Sequence, residues 1–265
     1  MRLVATDLDG TLLRSDGTPS PATREVLEAL DERGVPVVFV TARPLRWMDD
    51  LWPMVGRHGL AIVSNGAILY DVAAGRVRDV SGIDAAAGAE LCEAITAAVP
   101  GAAFAIECVS GIRRDPAFLE PHRVPEGSPV GPLAELWDEP AVKVLVRHPG
   151  PDHATFRERV VAAVGDRAVA TWSVPDLVEI SAPGITKAAR LVQVADELGV
   201  AAADVVAFGD MPNDLPMLAW AGTSYAMADA DPAVLAAATH RAPPADEDGV
   251  ATVLAGLFEI HVTHG

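Results

Sequence analysis

The chain has 265 residues, half of them hydrophobic, which is enough to bury one large core or two small ones. Against 20 Lys and Arg stand 37 Asp and Glu, and the resulting net charge of −17 argues against nucleic acid and anionic membrane, both of which need basic patches. A small anionic substrate stays open, because a bound metal reverses the local field.

No run of about 18 apolar residues is present, and Asp7 and Asp9 interrupt the only apolar stretch near the N-terminus, so the expectation is a soluble cytoplasmic protein. Cys92 and Cys108 have no metal-like spacing and read as small core residues, with a disulfide between them left open.

Arg2 to Thr6 is a short apolar run that predicts a buried strand, and it leads into Asp7-Leu8-Asp9-Gly10-Thr11. A near-extended backbone there would point Asp7 and Asp9 the same way, and Gly10 lets the chain turn off sharply. The alternative is a polar turn that merely caps a strand. Ser20-Pro21 predicts an N-cap with Pro at the first helical position, and the helix runs through Val26, Leu27 and Leu30 to Gly34. Pro36 to Val40 predicts a second strand, ending at Thr41-Ala42-Arg43. Pro44 is expected to open a helix through Trp47, Leu51 and Met54. Leu60 to Val63 predicts a third strand, ending at Ser64-Asn65-Gly66. Strands alternating with helices across short loops indicate a parallel sheet.

The pattern then changes. Ala67 to Asp71 and Arg76 to Val80 read as a hairpin. From about Ser81 to Pro183 helices and strands mix: helix Asp84 to Val99, strand Ala102 to Val109, a Pro-rich stretch from Pro116 to Pro140, strand Val142 to Arg147, helix Asp152 to Val164, and strands near Ala168 to Trp172 and Leu177 to Ile180. That order predicts a small α+β insert. The first pattern returns at Pro183-Gly184. A helix spans Ile185 to Gly199 with Ala188, Leu191, Val192 and Ala195 on its apolar face, and a strand spans Asp204 to Phe208, ending at Gly209-Asp210-Met211-Pro212-Asn213-Asp214. A short helix holds Met217 and Leu218, a last strand spans Gly222 to Ala226, and helices lie near Pro232 to Ala238 and Gly249 to Phe258. The expected organisation is a discontinuous core over residues 1–81 and 184–265, with an insert over 82–183.

Polar clusters therefore fall at the ends of predicted parallel strands: Asp7 and Asp9, Thr41, Ser64 and Asn65, and Asp210, Asn213 and Asp214. Parallel strands bring their C-terminal ends to one edge, so the four aspartates should share a site. Two like charges about 4 Å apart repel by about 4 kcal/mol at an effective dielectric of about 20, so four ionised carboxylates call for a cation. No Cys or His accompanies them, and an all-oxygen set suits a hard ion, Mg²⁺ before Ca²⁺. Lys187 lies in the first turn of its helix, where the dipole disfavours a cation unless an anion lies beside it. Thr41 could offer its hydroxyl and the following amide to a phosphate, or simply cap its strand. Asn65 and Asn213 could be turn formers.

Asp7-Leu8-Asp9-Gly10-Thr11, Thr41, Lys187 and Gly209 to Asp214 resemble, in order and spacing, the four motifs of the haloacid dehalogenase (HAD) superfamily. Ser64-Asn65-Gly66, Val178-Glu179-Ile180, Gly184 and the place of the insert resemble its Cof-type sugar-phosphatase branch. Ala188 and the pair Ala228-Asp229 depart from residues common in that branch, outside the four motifs. The resemblance implies a Rossmann-like parallel-sheet α/β core with helices on both faces, capped by the α+β insert. It implies a Mg²⁺-dependent phosphatase of small phosphorylated metabolites, with sugar phosphates first. Asp7 would be the nucleophile and Asp9 the general acid and base. Asp7, Asp210, the backbone carbonyl of Asp9 and Asp214 would hold Mg²⁺, and Thr41, Lys187 and Asn213 would hold the phosphoryl group. Arg113, Arg114, His122, Arg123 and Trp172 in the insert are conceivable substrate contacts, or a solvated loop and a core tryptophan. The alternatives are a sugar phosphomutase of the same branch and a non-catalytic sugar-phosphate sensor. The expected assembly is a monomer or homodimer.

Overall fold

The computed structural model describes residues 1–262 except Arg123, Pro151 and Ser173. By their internal contacts these fall into two compact units, one made of residues 1–43, 47–79 and 187–262, the other of described residues within 44–46 and 80–186.

The larger unit begins with β1 (Leu3–Thr6), whose four residues are all buried, as the continuous apolar run requires of a strand covered on both faces. Helix α1 (Pro21–Glu32) starts as predicted: Ser20 accepts from the Thr23 amide, and Pro21 takes the first helical position, where its missing N–H costs nothing. β2 (Val37–Val40) and β3 (Leu60–Val63) follow. Between them the expected helix does not form. Two 3₁₀ turns, Leu45–Trp47 and Trp52–Met54, stand in its place, because Pro53 lacks a donor and its ring clashes with the preceding turn of a helix. The hairpin of β4 (Ile68–Asp71) and β5 (Arg76–Val80) then joins the edge of the sheet.

The second unit is built from α2 (Ala85–Ala98), β6 (Ala103–Cys108), β7 (Gly111–Arg114), the short α3 (Leu133–Leu136), β8 (Lys143–Arg147), α4 (His153–Val164), β9 (Val169–Thr171) and β10 (Leu177–Ser181). Its sheet runs β7-β6-β8-β10-β9 with antiparallel neighbours. Phe104, Ile106, Val144, Val146, Val178 and Ile180 alternate onto one face and pack with Leu91 and Ile95 of α2 and Phe156 and Val160 of α4. The opposite face carries charge. Glu107 stands across from Lys143 and pairs with Arg46 at 2.6 Å, and Lys143 pairs with Glu179. Strand β7 was not anticipated, because Gly-Ile-Arg-Arg offers neither an apolar run nor a full alternation.

The chain returns with α5 (Lys187–Glu197), β11 (Val205–Gly209), α6 (Leu215–Trp220), β12 (Thr223–Met227), α7 (Pro232–Ala237), β13 (His240–Ala242) and α8 (Gly249–Phe258). In α5 Val194, rather than Val192, completes the buried stripe with Ala188, Leu191 and Ala195. The eight-stranded sheet has the order β13-β12-β11-β1-β2-β3-β4-β5, parallel from β13 to β3 and antiparallel at β4. Helices pack in pairs, α1 with α8 and α5 with α6. From β1 the chain builds outward through β2 and β3, and after the second unit it builds outward through β11, β12 and β13 on the other side. The order therefore reverses between β1 and β11, the crevice where open α/β sheets take ligands.

The second unit offers a packing test. A Cβ on Gly88 in α2 would lie 2.0 Å from the Trp137 ring, whose Nε1 donates to the Ile83 carbonyl at 3.2 Å. Ala gains about 1 kcal/mol of helix propensity over Gly, but overpacking of this kind costs about 1–3 kcal/mol. Gly88→Ala is therefore expected to lower thermal stability, read by calorimetry, although Ala is the better helix former.

Candidate active site

Asp7 and Asp210 leave adjacent parallel strands within one residue of the same level, since Thr6 pairs with Phe208 in the β1–β11 register and the Asp7 amide donates to the Phe208 carbonyl at 3.1 Å. On the other side Thr6 pairs with Phe39, so Thr41 emerges beside them. The turn after Asp7 is closed by the amides of Thr11 and Leu13, which both donate to the Leu8 carbonyl. Gly10 sits in that turn at φ 73°, and a Cβ there would lie 2.4 Å from an Asp210 oxygen. Glycine is needed here for conformation and for space.

Lys187, the first residue of α5, is almost wholly buried. Its ammonium donates to Asp7 Oδ1 and to Asp214 Oδ1, each at 2.7 Å. The other Asp214 oxygen accepts from the amides of Asp210 and Met211 at 3.2 and 3.1 Å. Gly209 permits this fold-back, because a Cβ there would lie 2.6 Å from that of Asp214. Asp210 Oδ1 accepts from the Thr11 hydroxyl at 3.1 Å. One carboxylate oxygen from each of Asp7, Asp210 and Asp214 lies within 4.8 Å of the other two. If all three are ionised, three negative charges against the single Lys187 leave −2 in a buried space, the balance a divalent cation would correct. The imbalance shows in the titrations. Burial, reinforced by Asp214 and Asp210, holds the Asp7 carboxyl well above its usual range despite Lys187. Burial and Asp214 push Asp210 to about 7. Burial works against the Lys187 charge, but Asp214 and Asp7 outweigh it and raise its pKa.

Asp9 departs from expectation. Its side chain does not point with Asp7 and stays outside this carboxylate cluster, 57% exposed, with both oxygens held by Arg43: Nε to Oδ2 at 2.8 Å and Nη2 to Oδ1 at 2.6 Å. The chain already turns at Leu8, between the two aspartates, so the extended geometry that would give them a common direction is absent. Thr41 is fully buried, and its hydroxyl accepts from the Arg43 amide at 3.0 Å, which leaves the O–H free to donate. The Ser64–Gly66 turn is stitched to this loop by the Ser64 amide to the Arg43 carbonyl at 2.9 Å and the Asn65 amide to the Thr41 carbonyl at 3.0 Å. Its three residues all have positive φ. Arg190, one helical turn after Lys187, donates to the Gly66 carbonyl at 2.9 Å and pairs with Asp79. Asn65 accepts from Asn213 Nδ2 at 3.2 Å, while Asn213 Oδ1 is buried with no hydrogen-bond partner.

Thr11, Arg43 and Arg190 were thus not singled out for these contacts from the sequence. The available signals were a charge two residues past a strand-end threonine and a basic residue three positions after Lys187 on the same helical face. In the second unit Arg113 is tied to Asp138 and Glu139, and Trp172 lies under the Arg157 guanidinium. Arg114 is half-buried, with no hydrogen-bond partner at Nε, and His122 is exposed; Arg123 lies outside the described residues. Cys92 and Cys108 are unpaired thiols, both pushed to about 12 by burial. No helix among the described residues is long and apolar enough to cross a membrane.

Comparison with known proteins gives the family. The haloacid dehalogenase-like hydrolase family profile matches residues 4–254. The chain is 31% identical to HMP-PP phosphatase of Cronobacter sakazakii over 90% of its own length and 88% of the relative's. It is 30% identical to 5-amino-6-(5-phospho-D-ribitylamino)uracil phosphatase YitU of Bacillus subtilis, over 97% and 98%. Among solved structures it superimposes on BT1666 of Bacteroides thetaiotaomicron, a phosphatase of the HAD enzyme superfamily, with a TM-score of 0.82 at 24% identity, covering 98% of this chain and 96% of that one; this likeness shows the fold.

The raised carboxyls make stability fall with pH. Folded Asp210 keeps its proton up to about 7, whereas an unfolded aspartate releases it near 3.9. In EDTA, thermal unfolding of the wild type should lose stability relative to Asp210→Asn as pH rises from about 4 to 7, then level off. Because protons compete with metal for the same oxygens, added Mg²⁺ should raise the wild-type Tm more at pH 8 than at pH 6, and should raise that of Asp210→Asn far less.

Proposed function

The chain belongs to the haloacid dehalogenase-like hydrolases and is a phosphatase, and we propose that it is a Mg²⁺-dependent one acting on small phosphorylated metabolites, sugar phosphates first, through an aspartyl phosphate on Asp7. The observation that carries this reading is the buried Asp7, Asp210 and Asp214 cluster, braced by Lys187 at the point where the strand order reverses.

Asp7 is the nucleophile. A carboxylate oxygen attacks phosphorus, the P–O bond to the alcohol breaks, and Asp9 gives the departing oxygen its proton. In the second half Asp9 takes a proton from water, which displaces phosphate from Asp7 and restores the free carboxylate. Lys187 spends two of its three N–H donors on Asp7 and Asp214, which leaves one for a phosphoryl oxygen. The Thr41 hydroxyl and the Asn213 side chain complete the cradle. Asp7, Asp210 and the Asp9 carbonyl, with Asp214 in support, would hold Mg²⁺, which when bound neutralises charge on the phosphoryl group. Sugar phosphates stand first because of the Cof-type motifs and because the relative YitU is named for a substrate phosphorylated on a ribityl chain.

The test is phosphate release from a panel of sugar phosphates, pyridoxal phosphate and other esters. Release should require Mg²⁺, stop in EDTA and return when Mg²⁺ is restored. It should fall to background in Asp7→Asn and by about 10²–10⁴-fold in Asp9→Asn. Isomerised sugar phosphate without free phosphate would instead identify a mutase, and a clear preference for non-sugar esters would move the substrate class.

A further inference from the structure

Asp9 is an unusual place for an unattended acid and base. It sits on a tight turn, more than half exposed, on a backbone redirected by Gly10. An aspartate in that setting would sample several rotamers. Here the Arg43 guanidinium takes both oxygens in a two-pronged, charge-assisted pair. Arg43 is itself anchored at three points. Its side chain is 16% exposed, its amide donates to the Thr41 hydroxyl, and its carbonyl accepts from the Ser64 amide. A mostly buried arginine thus reaches out to an exposed carboxylate. The planar fork fixes the direction of a carboxylate in a way that a point charge cannot.

We propose that Arg43 is the positioning residue for Asp9: tied to the Thr41–Ser64 loop, it orients the carboxylate, and when Asp9 takes up the proton it will give to the departing alcohol, one oxygen leaves the fork to carry that proton while the other still accepts from Arg43. The inference rests on the reading of Asp9 as the proton donor. Arg43 acts through Asp9 and touches no reacting atom itself. The competing role is direct contact with the substrate phosphate.

The two roles part according to the leaving group. An alkyl phosphate needs a proton on its departing oxygen, while p-nitrophenyl phosphate releases a stable phenolate with little help. We would measure kcat/KM, which reports the first irreversible step, for both esters in wild type, Asp9→Asn, Arg43→Gln, Arg43→Lys and Asp9→Asn/Arg43→Gln, together with inhibition by inorganic phosphate. Asp9→Asn should lose more on the alkyl ester than on the aryl ester. Arg43→Gln should show the same imbalance at about 10- to 100-fold on the alkyl ester, the scale of a roughly 1 Å misplacement, and Arg43→Lys the same pattern more weakly. Phosphate inhibition should be unchanged, and the double variant should be no worse than Asp9→Asn alone. Equal losses on both esters in the Arg43 variants, weaker phosphate inhibition, no loss on the alkyl ester, or additive losses in the double variant would overturn the inference. Asp9→Asn losing equally on both esters would overturn the proton-donor reading and the inference with it.

Discussion

One buried ammonium sits where three chain segments meet. Lys187 begins α5, Asp7 ends β1 and Asp214 closes the turn after β11, and the two 2.7 Å contacts to Lys187 hold these segments together. Its position runs against the helix dipole, at a cost of about 0.3–1 kcal/mol. Leaving a buried charge without its partner costs about 3–5 kcal/mol, so the carboxylates decide the placement and the dipole does not. Much of the surrounding sequence follows from this. Gly209 is small enough to let Asp214 fold back, Gly10 leaves room for Asp210, and Arg190 one turn later pins the Ser64–Gly66 turn.

The same contact leaves the site under-compensated. A single ammonium offsets only part of the charge of three carboxylates, and the burial that strengthens the pairs also raises the carboxyls of Asp7 and Asp210. Asp214 resolves part of this by accepting from two backbone amides as well as from the lysine. A hard divalent cation would resolve the rest. On the proposed reading, lysine and metal would share the carboxylates, and Asp7 would stay close to positive charge throughout, as a nucleophile approaching a phosphate dianion requires.

Strand-end chemistry was legible in the sequence because period and punctuation locate parallel strands, and parallel strands bring their C-terminal ends together. Asp7, Thr41, Asp210 and Asp214 are where Leu3–Thr6, Val37–Val40 and Val205–Gly209 end. The direction of Asp9 was not legible, because it depends on a turn that begins at Leu8 and on a guanidinium from another loop. The helix expected after Pro44 failed for a reason visible in the sequence, since Pro53 stands inside it, but apolar spacing alone hid the conflict. Strands β7 and β13 are short and carry arginine or histidine, so only their neighbours in the sheet reveal them.

The most direct measurement is a pre-steady-state burst experiment with p-nitrophenyl phosphate in excess over the Asp9→Asn variant, with Mg²⁺ present. The first step then needs little proton transfer, while hydrolysis of the aspartyl phosphate lacks its base. The account predicts a burst of p-nitrophenolate about equal to the enzyme concentration and, after acid quench, a phosphoryl group on the peptide that carries Asp7. Turnover with no burst, on a peptide that stays unmodified, would contradict a covalent role for Asp7.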